Sequence, residues 1–171
     1  MRKWIALLAG IMVLVAVNFS IVQRERLLTE GRVVLLELAP VDPRSLMQGD
    51  YMALRFKVAT DAFLRRTDKP LSDGQIVVAL DERGIGSFKR IADGSALADH
   101  EALLRYRVRN EQVKFATNAF FFQEGHADKY ALARYGEFRV AANGEMLLKT
   151  LRGADLQVLG QQVQIQSGGA P

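Results

Sequence analysis

Residues 4–22 carry no charge, and Asn18 and Ser20 are their only strongly polar members. No other feature so narrows what this chain can fold into. In lipid a lone segment satisfies its backbone only as a helix, and these residues as a helix reach roughly 28 Å, the thickness of a hydrocarbon core. Arg2 and Lys3 precede the run, and Trp4 stands where an interfacial aromatic anchor belongs, so the N-terminus is expected in the cytoplasm. The flank after the run, Gln23-Arg24-Glu25-Arg26, is basic as well and reduces that asymmetry. A cleaved signal peptide would share the basic start and the apolar stretch, but it needs small residues at both positions of its cleavage site. Leu14 stands two residues before Ala16, and Asn18 two before Ser20, so the segment is read as a retained anchor.

The expected organisation follows. Residues 1–23 form a transmembrane signal-anchor helix, and residues 24–32 extend it, with Gly31 as the left-handed residue that ends it. Residues 33–166 form one extracytoplasmic domain, and residues 167–171, Ser-Gly-Gly-Ala-Pro, a mobile tail. A chain of 171 residues, 49% hydrophobic and 25% charged, has room for one globular core beyond the anchor. Two of the 23 basic residues lie before the apolar run, so the remainder nearly balances the 19 acidic ones, which argues against a nucleic-acid partner. The absence of cysteine excludes disulfides, thiol catalysis, cysteine zinc sites and a lipidated N-terminal Cys.

Short β-prone runs fill the domain. Residues 33–38 read as a buried strand ended by Pro40 and Pro43. Residues 51–58 alternate, with Met52, Leu54, Phe56 and Val58 on one face and Tyr51, Ala53, Arg55 and Lys57 on the other. Thr60 opens an expected short helix through Arg66. Residues 76–80 and 85–91 form a hairpin around Asp81-Glu82-Arg83-Gly84. Leu104, Tyr106 and Val108 alternate with Arg105, Arg107 and Arg109, an apolar face backed by a row of guanidinium groups. Residues 113–122 read as one extended run buried on both faces at Phe120-Phe121-Phe122. Residues 126–135 have helical spacing closed by Gly136, and Asn143-Gly144 is the strongest hairpin signal in the chain. Residues 156–159 and 163–165 suggest a last strand. The expected fold is mainly β (α+β): an N-terminal transmembrane helix, then an antiparallel β sandwich or open barrel of seven to nine strands with two short helices.

The segment from Val41 to Phe56 is the most distinctive. Pro43 fixes the chain entering a turn, Gly49 permits a backbone conformation closed to other residues, and Asp50 can accept amide hydrogen bonds. Leu54 and Phe56 then point inward. On a purely structural reading this is a turn that sets a strand's register. On a functional one, Asp42, Pro43, Arg44, Gly49, Asp50, Tyr51, Leu54, Arg55 and Phe56 build a recognition patch. The run Gly49-Asp50-Tyr51-Met52-Ala53-Leu54-Arg55-Phe56 resembles the bacterial GDYXXLXY family, with Phe56 in place of the final Tyr. The resemblance extends through the Asp81–Gly84 turn, the aromatic-Glu-Gly segment Phe120–Gly125 and the strands around Asn143-Gly144. It implies a membrane-anchored protein working beside multi-spanning membrane proteins. The missing hydroxyl at Phe56 implies a position that packs.

Catalysis is the rival reading of the same segment. Pro-x-x-Leu-x-x-Gly-Asp also looks like the region around the nucleophile of signal-peptidase-type serine enzymes, but those place a Ser-Met pair before the Pro, where this chain has Pro40, Val41 and Asp42. Ser45 follows the Pro instead, and Lys89 and Lys114 are unremarkable as bases. Glu124, His126 and Asp128 could ligate a metal with His100, yet acids at a helix start are more simply caps. Phe122, Glu124, Gly125 and His126 remain secondary candidates. No catalytic residue, metal or cofactor is expected. The leading reading is a non-enzymatic accessory or assembly partner of integral membrane proteins. The alternatives are an envelope enzyme using Asp50, Glu124 or His126, and a module that binds lipid or a small ligand.

Overall fold

The computed structural model describes residues 2–39, 47–48, 51–63, 72–109, 112–117 and 119–160. It is mainly β with one long N-terminal helix, α1 (Arg2–Glu30), followed directly by β1 (Arg32–Glu37). The expected span and its extension are one continuous helix. Its stretch Leu7–Glu30 is long and apolar enough to cross a membrane, and none of that stretch is buried against the rest of the protein. Asn18, the polar exception, turns its Nδ2 back to the Leu14 carbonyl at 2.9 Å, which satisfies one of its amide hydrogens within the helix.

Gly31 ends α1, but not with the left-handed backbone the sequence suggests; that conformation occurs at Gly84 and Gly144 among others. Glycine is required here by closeness. An added Cβ would stand 2.3 Å from the Leu27 carbonyl oxygen and 3.1 Å from the Arg139 Cβ.

Three antiparallel sheets follow. The first, in the order β1-β9-β10, joins β1 to β9 (Tyr135–Val140) and β10 (Met146–Arg152). The second, in the order β5-β4-β6-β7, joins β5 (Gly86–Ile91), β4 (Gly74–Leu80), β6 (Glu101–Arg109) and β7 (Gln112–Phe115). A small third sheet joins β2 (Met47–Gln48), β3 (Tyr51–Ala53) and β8 (Ala119–Phe121). The two larger sheets meet edge to edge at single points: Leu35 N donates to Gly84 O at 2.9 Å, and Arg105 N to Gly144 O at 2.9 Å. Among the described residues no continuous ladder closes them into a barrel.

The core lies between these sheets. Val34 and Leu36 of β1, Phe138 of β9 and Leu151 of β10 face Ile76 and Val78 of β4 and Leu104 of β6. Phe56 fills the middle, edge-on to Phe138 at 5.3 Å and to Phe115 at 6.4 Å. Ile76, Val77 and Val78 are fully buried in succession, which a strand achieves only when covered on both faces. Each such side chain contributes about 1.5–3 kcal/mol.

The structure corrects several expectations. The strand expected over residues 51–58 stops at Ala53, and α2 (Lys57–Phe63) begins where the strand was to continue. Met52, Leu54, Phe56 and Val58 are all buried as their alternation requires, but Val58 and Ala62 also sit one helical turn apart and both are buried. A residue shared by two periods cannot mark where one yields to the other. The run over residues 113–122 breaks at Ala116, whose φ is 35°, and the Thr117 hydroxyl closes the corner by donating to Ala119 O at 2.8 Å. The Phe triplet is therefore not buried on both faces, and Phe121 is 73% exposed.

The helix expected over residues 126–135 is a single 3-10 turn (Ala127–Tyr130) without a side-chain cap. Gly136 is no helix stop but part of β9, where a Cβ would come within 3.1 Å of both Phe56 and Phe138. Residues 156–159 contribute only an isolated bridge between Val158 and Arg152, and residues 163–165 lie outside the described ones.

Candidate functional site

The chain after α1 does not dangle. Arg32, first residue of β1, donates to the backbone carbonyl of Glu101 at 2.7 Å and to that of Asp99. Arg139, from the middle of the first sheet, donates to the Gly31 carbonyl at 3.1 Å, placing a cation at the negative end of the helix. The end of the helix is thus held by the Arg139 guanidinium, and the first residue of the domain that follows it by its own.

Each guanidinium is held in turn by carboxylates or their neighbours. Glu137, 3% exposed, accepts from Arg152 Nε at 2.6 Å and faces Arg139 at 3.9 Å. Arg139 Nε is buried without a partner among the described residues. Glu101, 5% exposed, meets Lys89 Nζ at 2.6 Å and Arg90 at 3.3 Å and accepts the Ala98 amide at 3.2 Å. The Lys89 hydrogen bond, with that amide, holds the Glu101 carboxyl below its ordinary range. Sequence reasoning missed both buried carboxylates. Glu137 alternates with Gly136 and Phe138 in β9, the pattern of an outward-facing carboxylate, so the sequence does not flag its burial.

Beside this joint the outer face of β6 and the last turns of α1 enclose a cleft of about 1440 Å³. Ser20, Gln23, Arg24 and Leu27 line it from the helix, and Arg105, Arg107 and Arg109 from β6, with Lys114 from β7. The alternation read from the sequence explains the row: Leu104 and Tyr106 go to the core, so the arginines between them face out. The hairpin tip at Asn143-Gly144 leans on the same face. Gln75 Nε2 donates to Asn143 O at 2.8 Å, and a Cβ on Gly144, whose φ is 82°, would stand 3.2 Å from Leu103. The cleft lies beside a helix long and apolar enough to cross a membrane.

The motif residues are divided. Leu54 and Phe56 are 1% and 3% exposed and belong to the core. Tyr51 is half-buried, its ring 5.8 Å from that of Phe121, and Arg55 is exposed with its carbonyl accepting the Ala39 amide at 2.8 Å. Asp42, Pro43, Arg44, Ser45, Gly49 and Asp50 lie outside the described residues. Among the secondary candidates, Phe122 stacks on Tyr130 at 5.4 Å, Glu124 is exposed, Gly125 has φ 78°, and the carbonyl of half-buried His126 accepts the Lys129 amide. His126 and its neighbours form no group of three metal-ligating side chains among the described residues. The expected cap at the start of that turn is not made.

Compared with known proteins, residues 13–151 match the family model described as GDYXXLXY protein. No curated protein and no solved structure matches the chain.

Proposed function

The chain belongs to the GDYXXLXY family, and from that footing we propose that it is a non-enzymatic, single-pass inner-membrane protein whose β domain lies outside the cytoplasm. It serves there as an accessory or assembly partner of an integral membrane protein. The observation that carries this reading is the joint: Arg139 holds the Gly31 carbonyl at the end of α1, and Arg32, the first residue of β1, ties the start of that strand to Glu101. A domain that only had to be tethered needs no such fixation. A domain that must present one face to a neighbour in the bilayer does, because fixing orientation before binding lowers the entropy lost on binding. Lys89, weighed from the sequence as a base, is occupied 2.6 Å from Glu101, which fits a structural use.

Photo-reactive residues at Leu14 on the helix and at Phe121, 73% exposed on the domain, test the reading. After crosslinking in intact cells and purification in mild detergent, the same multi-spanning protein should be captured from both positions. Capture of nothing above background at either position would overturn the proposal. A topology reporter fused after Pro171 should be active only outside the cytoplasm, as Arg2 and Lys3 before the apolar run suggest.

A further inference from the structure

On β6 and β7, Arg107 stands directly opposite Lys114 in the antiparallel register. Like charges facing each other across a ladder weaken a sheet. The arginines on either side are balanced, Arg109 by Asp73 at 3.3 Å and Arg105 by Glu145 at 3.7 Å. Arg107 and Lys114 have no carboxylate within ion-pair distance among the described residues. Both line the cleft beside α1. Asp73 attracts Arg107 from beyond ion-pair distance, and the fold keeps this like-charge pair facing a space that the membrane helix also borders.

The opposite wall supplies the rest. Along α1, Leu14, Val15, Phe19 and Val22 form an apolar strip that ends at Gln23 and Arg26, and these two residues also line the cleft. A mainly apolar strip, with Asn18 as its polar member before Gln23, thus runs into a cleft lined by more basic than acidic residues. An amphipathic anion fits both, with hydrocarbon against the strip and a negative head in the cleft.

We propose that this cleft binds the headgroup of an anionic phospholipid. Arg107 and Lys114 hold the phosphodiester from the sheet and Arg24 holds it from the helix, while an acyl chain lies along the strip. The bound headgroup neutralises the repelling pair. Lipid would then set the tilt of the domain on the bilayer, independently of whether a protein partner is present.

Native mass spectrometry of the full-length protein in mild detergent, with phosphatidylglycerol or phosphatidylcholine added, tests this. The protein should retain phosphatidylglycerol selectively. An Arg or Lys near an anionic lipid surface contributes roughly fivefold in affinity, so Arg107→Gln with Lys114→Gln should weaken retention roughly twenty-five-fold. The same double variant should melt at an unchanged or higher temperature in lipid-free detergent, because it removes a like-charge pair. Equal retention of the two lipids would overturn the proposal, as would undiminished phosphatidylglycerol binding by the variant. Displacement of phosphatidylglycerol by millimolar inorganic phosphate would overturn it in favour of a soluble-anion site. Failure of the crosslinking experiment above leaves these outcomes untouched, so the two readings stand or fall separately.

Discussion

At the scale of single residues, the family motif separates into parts with different duties. Phe56 is 3% exposed and touches the rings of Phe115 and Phe138, whereas its neighbour Arg55 is exposed. Phe56→Ala should cost about 3–5 kcal/mol, the toll of a large aromatic removed from a packed core. Arg55→Ala should stay within about 0.5 kcal/mol. Urea denaturation of the two variants reads the contrast directly, and equal effects would contradict the inside-outside division. That division was legible in the sequence, because alternation over Met52, Leu54, Phe56 and Val58 names the buried face whatever backbone carries it. The backbone itself was not legible. Val58 satisfies both a two-residue and a helical period, so the change from β3 to α2 leaves no mark in the pattern of apolar residues. The buried Glu101 and Glu137 were illegible for another reason: Lys89, Arg90 and Arg152, which pair with them, lie on other strands, and only the fold brings these together.

At the scale of elements, turn chemistry proved the most dependable guide. Gly84 and Gly144 both take the positive φ that their hairpins require, and both hairpins form where the sequence put them. Helix ends were less legible, since Gly31 is dictated by the approach of Leu27 and Arg139 rather than by its own φ. That distinction can be measured. A left-handed terminator would tolerate little besides Gly and Asn, and its loss would fray the last turn. A crowded joint instead shifts the helix relative to the domain when a methyl is added. The chain has no cysteine, so spin labels at Ser20→Cys and Lys149→Cys report that relation without interference. Gly31→Ala should broaden or move their distance distribution, while the domain's melting temperature changes by only a few degrees. An unaltered distribution would show that the joint does not depend on this contact.

For the molecule as a whole, the charged groups predict a broad pH plateau with one steep edge. Glu101, Asp73 and Asp93 all have depressed carboxyl values, the first chiefly through Lys89, the second through the Val108 amide and the third through Ser95. A depressed carboxyl stabilises the fold fully above its unfolded value, about 4.5 for glutamate and 3.8 for aspartate, and loses that contribution as pH falls through the folded value. Lys57 is raised from 10.5 by its hydrogen bond to Glu37. Its contribution is complete below that value and disappears as pH rises through the folded one. Stability should therefore be flat from about pH 5 to pH 10 and fall on both sides. The two edges differ in kind. Lys57, Asp73 and Asp93 are exposed, so salt screens their interactions and the alkaline edge should fade at high ionic strength. Glu101 is 5% exposed and shielded from counterions, so the acid edge should persist. Thermal melts between pH 3 and 11 at low and high salt, repeated on Glu101→Gln, separate these contributions. The variant should lower the plateau and flatten the acid edge at both salt concentrations, because it removes the carboxylate that loses its charge there. An acid edge equally steep in Glu101→Gln would place the acid sensitivity outside the joint between helix and domain.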